Sequence, residues 1–162
     1  MTEEDQVEPQ FLDFVIWSDA TLYGGVCLRW NHEASELQWR PALGCSDEYW
    51  LLLPTPARVT WKAFWLLLDQ AGVWGWELEY PPKSTAHTGW SLEVSFRGRN
   101  VRTSGGGLAY PNDTDEPGSP FDILCTALGM LAGAEMSELK PPHGWGMPRE
   151  GDVPGESDVD KE

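Results

Sequence analysis

The chain has 162 residues and a net charge of −15, and both limit the classes of protein to which it could belong. This length suits one domain that buries its own core. No run approaches the roughly 18 to 20 apolar residues that a membrane helix needs. Because 26 acids outnumber 11 lysines and arginines, we expect no direct binding to nucleic acid and no binding to a membrane.

Acidic residues are concentrated at the two ends of the chain. Residues 1–8 hold four acids and no base, a charge opposite to that of a signal peptide, so we expect a cytoplasmic protein. The end of the chain is rich in proline, glycine and acids. We therefore predict disorder over residues 1–9 and 140–162, and a single domain over residues 10–139.

Short runs of β-forming residues occupy the first third of the chain. They predict strands over residues 10–17, 23–30, 36–40 and 49–53, joined as an antiparallel meander. Ten tryptophans are more than one core needs, and some of them should be exposed. The tryptophans of these strands are the candidates for an aromatic binding patch, with Trp30 and Trp39 chosen as binding residues beside Trp17 and Trp50.

A helix is predicted over residues 56–71. Thr55 and Pro56 are typical of a helix start, apolar residues then recur at helical spacing, and Gly72 ends the pattern. The alternation from Trp74 to Tyr80 predicts a further strand.

The clearest strand contains Trp90, Leu92, Val94 and Phe96, which alternate with polar residues and should share one buried face. Residues 97–100 predict a turn, and Val101 with Thr103 resumes the alternation as the return strand of a hairpin. Ser119 and Pro120 then start a second helix, predicted over residues 119–132. The expected fold is α+β: a twisted antiparallel sheet of five to seven strands with two helices packed on one face.

One stretch resembles a pattern seen in uncharacterised small bacterial proteins whose function is unassigned. The similarity spans roughly residues 54–133 and is carried by a tryptophan-bearing strand and by a corner of the type glycine, asparagine, alanine, aromatic, proline. In this chain Leu108 stands where the asparagine would be, and Thr88 stands where an aspartate would precede the glycine. The residues that carry the resemblance are Trp61, Phe64, Trp76, Tyr80, Gly89-Trp90-Ser91-Leu92, Ser104-Gly105 and Ala109-Tyr110-Pro111.

The sequence contains no motif of a catalytic or metal site. Its three histidines are far from one another and from the cysteines, so we expect neither a metal nor another cofactor. Asp113, Asp115 and Glu116 form a dense carboxylate group without the calcium-loop pattern, and a solvated loop is the preferred interpretation. The hairpin carries a local group of arginines, and the glycine-rich corner follows it. The candidate binding residues here are Arg97, Arg99, Arg102, Ser104, Gly105 and Tyr110.

Three functions are compatible with these patterns. The first is a non-catalytic protein-binding protein, of immunity or inhibitory type, that uses an acidic and tryptophan-rich surface against a basic partner. The second is an enzyme, or a protein that binds a small ligand or anion, with its site at the corner between Ser104 and Pro111. The third is a structural subunit that forms homo-oligomers through the tryptophan-bearing strands.

Overall fold

The computed structural model describes residues 6–18, 25–41, 50–111 and 118–133, and it confirms the predicted α+β class. The strands are β1 (Phe11–Ser18), β2 (Gly25–Asn31), β3 (Glu36–Pro41), β4 (Leu51–Leu53), β5 (Glu79–Tyr80), β6 (Thr88–Phe96) and β7 (Arg99–Gly106), and the helices are α1 (Arg58–Ala71) and α2 (Pro120–Ala132).

The strands form one open sheet in the order β4-β3-β2-β1-β6-β7-β5. The predicted antiparallel meander is present as β1 to β4, and β6 with β7 forms the predicted hairpin. β1 joins these two halves because it pairs with β2 on one side and with β6 on the other. The sheet is mixed rather than purely antiparallel, since the short β5 runs parallel to β7.

Both helices pack on one face of the sheet, as predicted, and aromatic rings form much of this core. Trp61 of α1 meets Trp30 of β2 edge to face, with ring centroids 5.2 Å apart. Phe121 of α2 lies against Trp90 of β6 at a centroid distance of 5.0 Å. Because the side chains of a strand alternate, the next residue of each strand points away from the helices.

The helix ends follow the sequence signals, with one shift at the start of α1. That helix begins at Arg58, and Ala57 rather than Thr55 is its cap, without a side-chain hydrogen bond. In α2 the predicted cap is present: the Ser119 hydroxyl accepts from the Asp122 N–H at 3.2 Å. Gly72, with φ 73°, ends α1 in the left-handed conformation that glycine tolerates best.

The strand predicted from Trp74 to Tyr80 is mostly absent. A single 3-10 turn occupies Val73–Gly75, and only Glu79–Tyr80 pairs with the sheet. Two indoles of this stretch bond back to the end of α1: Trp74 Nε1 donates to the Asp69 carboxylate at 2.9 Å, and Trp76 Nε1 donates to the Ala71 carbonyl at 3.2 Å. These tertiary contacts override a local pattern that is typical of a strand.

Residues 6–9 are packed on the domain, although the sequence predicted disorder up to residue 9. Val7 is buried and its carbonyl accepts a hydrogen bond from Trp65 Nε1 at 2.7 Å. Arg97 donates to the Gln6 carbonyl at 2.8 Å. The tail predicted over residues 140–162 lies outside the described residues.

Candidate functional site

The two tryptophans chosen as binding residues belong to the core. Trp30 is 5% exposed and Trp39 is 4% exposed. Both occupy positions of β2 and β3 that face the helices, since Trp30 pairs with Leu37 and Leu28 pairs with Trp39 along one buried surface. The expected exposed patch of aromatic residues therefore excludes these two, because the face of each strand could not be assigned from the sequence.

The three arginines of the hairpin do not form one cluster. Arg97 occupies the turn at φ 51°, and its guanidinium reaches the N-terminal segment. Arg99 lies on the helix side, where it pairs with Asp69 at 3.2 Å and covers the Trp74 ring at 4.3 Å. Arg102 lies on the opposite side of the sheet, exposed and directly across from Glu93. The three arginines therefore lie in three different environments and do not form a shared binding site.

The corner after β7 is filled by its own backbone and side chains. Trp90 Nε1 donates to the Ala109 carbonyl at 2.9 Å, and a Cβ on Gly105 would lie 2.7 Å from the same indole nitrogen. The ring of Tyr110 packs on Phe121 at a centroid distance of 4.8 Å. Ser104 donates its N–H to Leu78 of the chain beside β7 at 3.2 Å. This arrangement favours a packing role for the corner.

The face of the sheet that points away from the helices carries a different set of residues, and we call it the open face. It includes Phe11, Asp13, Val15 and Trp17 of β1, which alternate with the core residues of that strand. Phe11 is 43% exposed and Trp17 is 40% exposed. Two of the few large apolar side chains that remain at the described surface therefore lie on one face of one strand.

A row of charged residues crosses the open face perpendicular to the strands. Asp13 of β1 is directly opposite Arg29 of β2 on one side and Glu93 of β6 on the other, and Glu93 is opposite Arg102 of β7. We call Arg29, Asp13, Glu93 and Arg102 the charge row. Neighbouring strands are about 4.8 Å apart, so two carboxylates lie side by side at its centre. Like charges placed directly opposite each other destabilise a sheet.

The guanidinium of Arg29 has two partners other than the carboxylate that it faces. Its Nε donates to Gln38 Oε1 at 2.7 Å, and its guanidinium lies over the Trp50 ring, 3.9 Å from the centroid. Among the described residues, neither Asp13 nor Glu93 forms a hydrogen bond or an ion pair through its carboxylate. Arg29 and Arg102 thus stand at the two ends of the charge row. Neither of them contacts the carboxylates of Asp13 and Glu93 directly.

Burial and charge both act on the Asp13 carboxyl. Burial raises the pKa of Asp13 above its ordinary value of 3.8, and the Glu93 carboxylate raises it further. Arg29 and Arg40 oppose this rise. The ionised form of Asp13 is therefore less stable in the folded protein than in water, and a bound cation would relieve that cost.

A cleft opens at the end of β1 and β2, beside the charge row. Its volume is about 300 Å³, and Asp13 and Arg29 lie in its wall. The remaining lining residues are Gln10, Phe11, Leu12, Trp30, Asn31, His32 and Glu33. The cleft combines the rings of Phe11, Trp30 and His32 with the carboxylates of Asp13 and Glu33, which suits a side chain that has an apolar stem and a positive end.

Trp17 lies flat on the open face because glycine stands beside it. Gly25 of β2 and Gly89 of β6 are its two neighbours across the sheet. A Cβ on Gly89 would collide with the six-membered ring of the indole, so the ring occupies the space that this glycine leaves. A half-exposed tryptophan of this kind is typical of the residues that contribute most to protein–protein binding.

Sequence reasoning missed Phe11, Asp13, Arg29 and Glu93 as members of a site. The available signal was Asp13 itself, the only charge in the apolar run that forms β1. A lone charge in such a run marks the face that is not covered by the core. Its neighbours across the sheet depend on strand register, which the sequence does not state.

Within the described ranges, no group of three or more histidine, cysteine or acidic side chains could hold a metal ion. The carboxylates at positions 113, 115 and 116 lie outside those ranges. Neither helix of the described chain is long and apolar enough to cross a membrane. No protein-family model and no curated protein sequence matches the chain.

Proposed function

We propose that this chain is a cytoplasmic, non-catalytic binding protein of the immunity or inhibitory type, which covers a basic protein partner with its open face. The observation that carries the proposal is the pair of unneutralised carboxylates, Asp13 and Glu93, on the same face as the exposed rings of Phe11 and Trp17. Acidic groups supply attraction to a basic partner, and aromatic rings supply contact area at low entropic cost.

The overall charge supports the same partner. With a net charge of −15, the protein attracts a basic surface, and this attraction speeds encounter more than it selects the partner. Selection then has to come from a face with fixed geometry. The charge row and the flat Trp17 ring provide such a face, because both are held by the sheet.

Two other functions fit less well. A small-ligand or catalytic site at the corner between Ser104 and Pro111 would need space that Trp90 and Ala109 already occupy. A homo-oligomer through the tryptophan-bearing strands loses Trp30 and Trp39, which are buried, and retains Trp17 as an exposed contact.

The proposal is tested by capturing partners from the host, with and without phage infection, at low and high salt. Trp17→Ala removes the aromatic centre of the open face, whereas Leu66→Ala removes an even more exposed apolar side chain from α1 on the other side of the domain. We expect a salt-sensitive complex with a basic protein that Trp17→Ala weakens at least about tenfold and Leu66→Ala leaves intact. Equal binding by both variants, or no salt-sensitive complex, would overturn the proposal.

A further inference from the structure

The central carboxylates of the charge row repel each other, and within the described chain no cation contacts either of them directly. Asp13 and Glu93 are directly opposite each other on neighbouring strands, an arrangement that repels. A cation, Arg29, is opposite Asp13 on the other side. Its guanidinium nevertheless bonds to Gln38 and lies over Trp50, so the carboxylate remains open to a cation from outside.

The cleft beside Asp13, with a volume of about 300 Å³, has room for one long side chain. The ring of Phe11 can cover an alkyl stem or the face of a cation, and the carboxylates of Asp13 and Glu33 can receive the positive end. Charge-assisted hydrogen bonds to carboxylates are the strongest polar contacts available to lysine and arginine.

The order of charges argues against a second copy of this chain as the occupant. Read across the strands, the charge row is positive, negative, negative, positive, from Arg29 to Arg102. This order is the same from either end. Two copies related by a two-fold axis through the centre of the row would therefore place like charge on like charge.

We infer that the open face holds a lysine or arginine side chain of its protein partner, which lies beside the cleft and pairs with the carboxylates of Asp13 and Glu93. This inference rests on the proposed function and adds the chemistry of the partner: a basic residue projecting from its surface at the centre of the contact. Asp13 then contributes to binding and lowers the stability of the folded protein.

The inference is tested on the full chain with a tetralysine peptide as probe and tetra(acetyl-lysine) as its uncharged control. Chemical-shift changes on titration should centre on β1 and β6 around Asp13 and Glu93, and the acetylated peptide should produce none there. Asp13→Asn with Glu93→Gln should raise the dissociation constant of tetralysine about tenfold. Glu77→Gln, an exposed acid outside the open face, should change it less than about twofold.

A role in binding is separated from a role in structure by unfolding measurements on the same variants. If Asp13 is kept for binding, Asp13→Asn should bind tetralysine less tightly while its midpoint of urea unfolding stays equal or rises. Loss of both binding and stability would mean that Asp13 supports the fold, and it would overturn the inference. Shift changes confined to the acidic ends of the chain, or an equal loss in Glu77→Gln, would overturn it as well.

Failure of this inference differs from failure of the proposed function. If the captured partner is lost by Trp17→Ala but binds the Asp13→Asn, Glu93→Gln variant as tightly as the wild type, the open face binds its partner without these carboxylates. The inference then fails and the proposed function stands. If neither variant weakens the complex, the proposed function fails.

Discussion

Trp65 of α1 stacks face to face on Phe96 of β6, with ring centroids 3.8 Å apart and planes inclined by 6°. The stack continues to Trp74 and ends on the guanidinium of Arg99. The same Trp65 donates its indole N–H to the Val7 carbonyl, so one side chain joins the helix, the hairpin and the N-terminal segment.

Replacing Trp65 should therefore separate packing from the hydrogen bond. We expect Trp65→Ala to lower the free energy of unfolding by about 3–5 kcal/mol, since a large buried ring is lost. Trp65→Phe keeps a ring but leaves the Val7 carbonyl without this donor, and about 1 kcal/mol of loss is expected. Urea unfolding measures both variants, and equal losses would contradict this division of roles.

Trp90 and Arg99 belong to the same hairpin but should differ widely in their effect on stability. Trp90 is buried, and its N–H bonds to the Ala109 carbonyl, so Trp90→Ala should cost about 3–5 kcal/mol. Arg99 lies on the helix side of β7 rather than on the open face, yet its pair with Asp69 is exposed. Arg99→Ala should cost less than about 1 kcal/mol. The reverse order in denaturant unfolding would contradict this assignment.

The hydroxyl of Thr103 is a buried polar group without a hydrogen-bond partner among the described residues. The residue is 1% exposed, and its Oγ1 makes no hydrogen bond. Thr103→Val keeps the shape of the side chain and removes the unpaired hydroxyl, so we expect stability to rise by about 1 kcal/mol. Thr126→Val on the exposed side of α2 serves as control and should change it by less than about 0.5 kcal/mol. A destabilised Thr103→Val protein would point to a partner for this hydroxyl.

Asp13 should make the protein less stable as the pH rises. Its pKa in the folded protein is raised above 3.8 by burial and by Glu93, while Arg29 and Arg40 lower it. Between the unfolded and folded pKa values the folded protein holds more of this proton, so ionisation at higher pH favours unfolding. The advantage of Asp13→Asn in urea unfolding should therefore grow as the pH rises above 3.8 and then level off.

Glu77→Gln controls for the loss of one negative charge in that comparison. A stability difference between Asp13→Asn and the wild type that stays flat across this pH range would mean that Asp13 does not carry the pH dependence.

Local signals predicted most of the fold. Strict alternation in β6 fixed both its class and its buried face, and Ser119 with Asp122 marked the start of α2. The stretch from Trp74 to Tyr80 was assigned wrongly, because alternating indoles are typical of a strand. Their hydrogen bonds to the end of α1 form only when the helix and this stretch are already close together.

The candidate site was less accessible from the sequence, for a related reason. β1 is almost continuously apolar, so Asp13 alone separates the face that carries Phe11 and Trp17 from the face that carries Leu12 and Phe14. The charge row requires the register of four strands, and residues far apart in the chain supply its members. The residues proposed from local composition, Trp30 and Trp39 above all, therefore included core positions.

The Trp17 ring packs against Gly89, so a substitution of this glycine tests the open face without replacing the tryptophan itself. An alanine at position 89 would put its Cβ into the indole ring, so the ring must turn away from the sheet. Gly89 does not have a positive φ, and alanine is better than glycine in a strand, so Gly89→Ala should change stability by less than about 1 kcal/mol. Gly106→Ala is the matched control: Gly106 is opposite Gly89 on the same face, and its added Cβ would make only ordinary contact, 3.5 Å from the Thr88 carbonyl.

We expect the indole N–H resonance of Trp17, identified by its loss in Trp17→Phe, to shift in Gly89→Ala and not in Gly106→Ala. Partner binding should be weaker in Gly89→Ala and unchanged in Gly106→Ala. A protein that binds normally after its Trp17 ring has been displaced would show that the flat indole is not part of the binding surface.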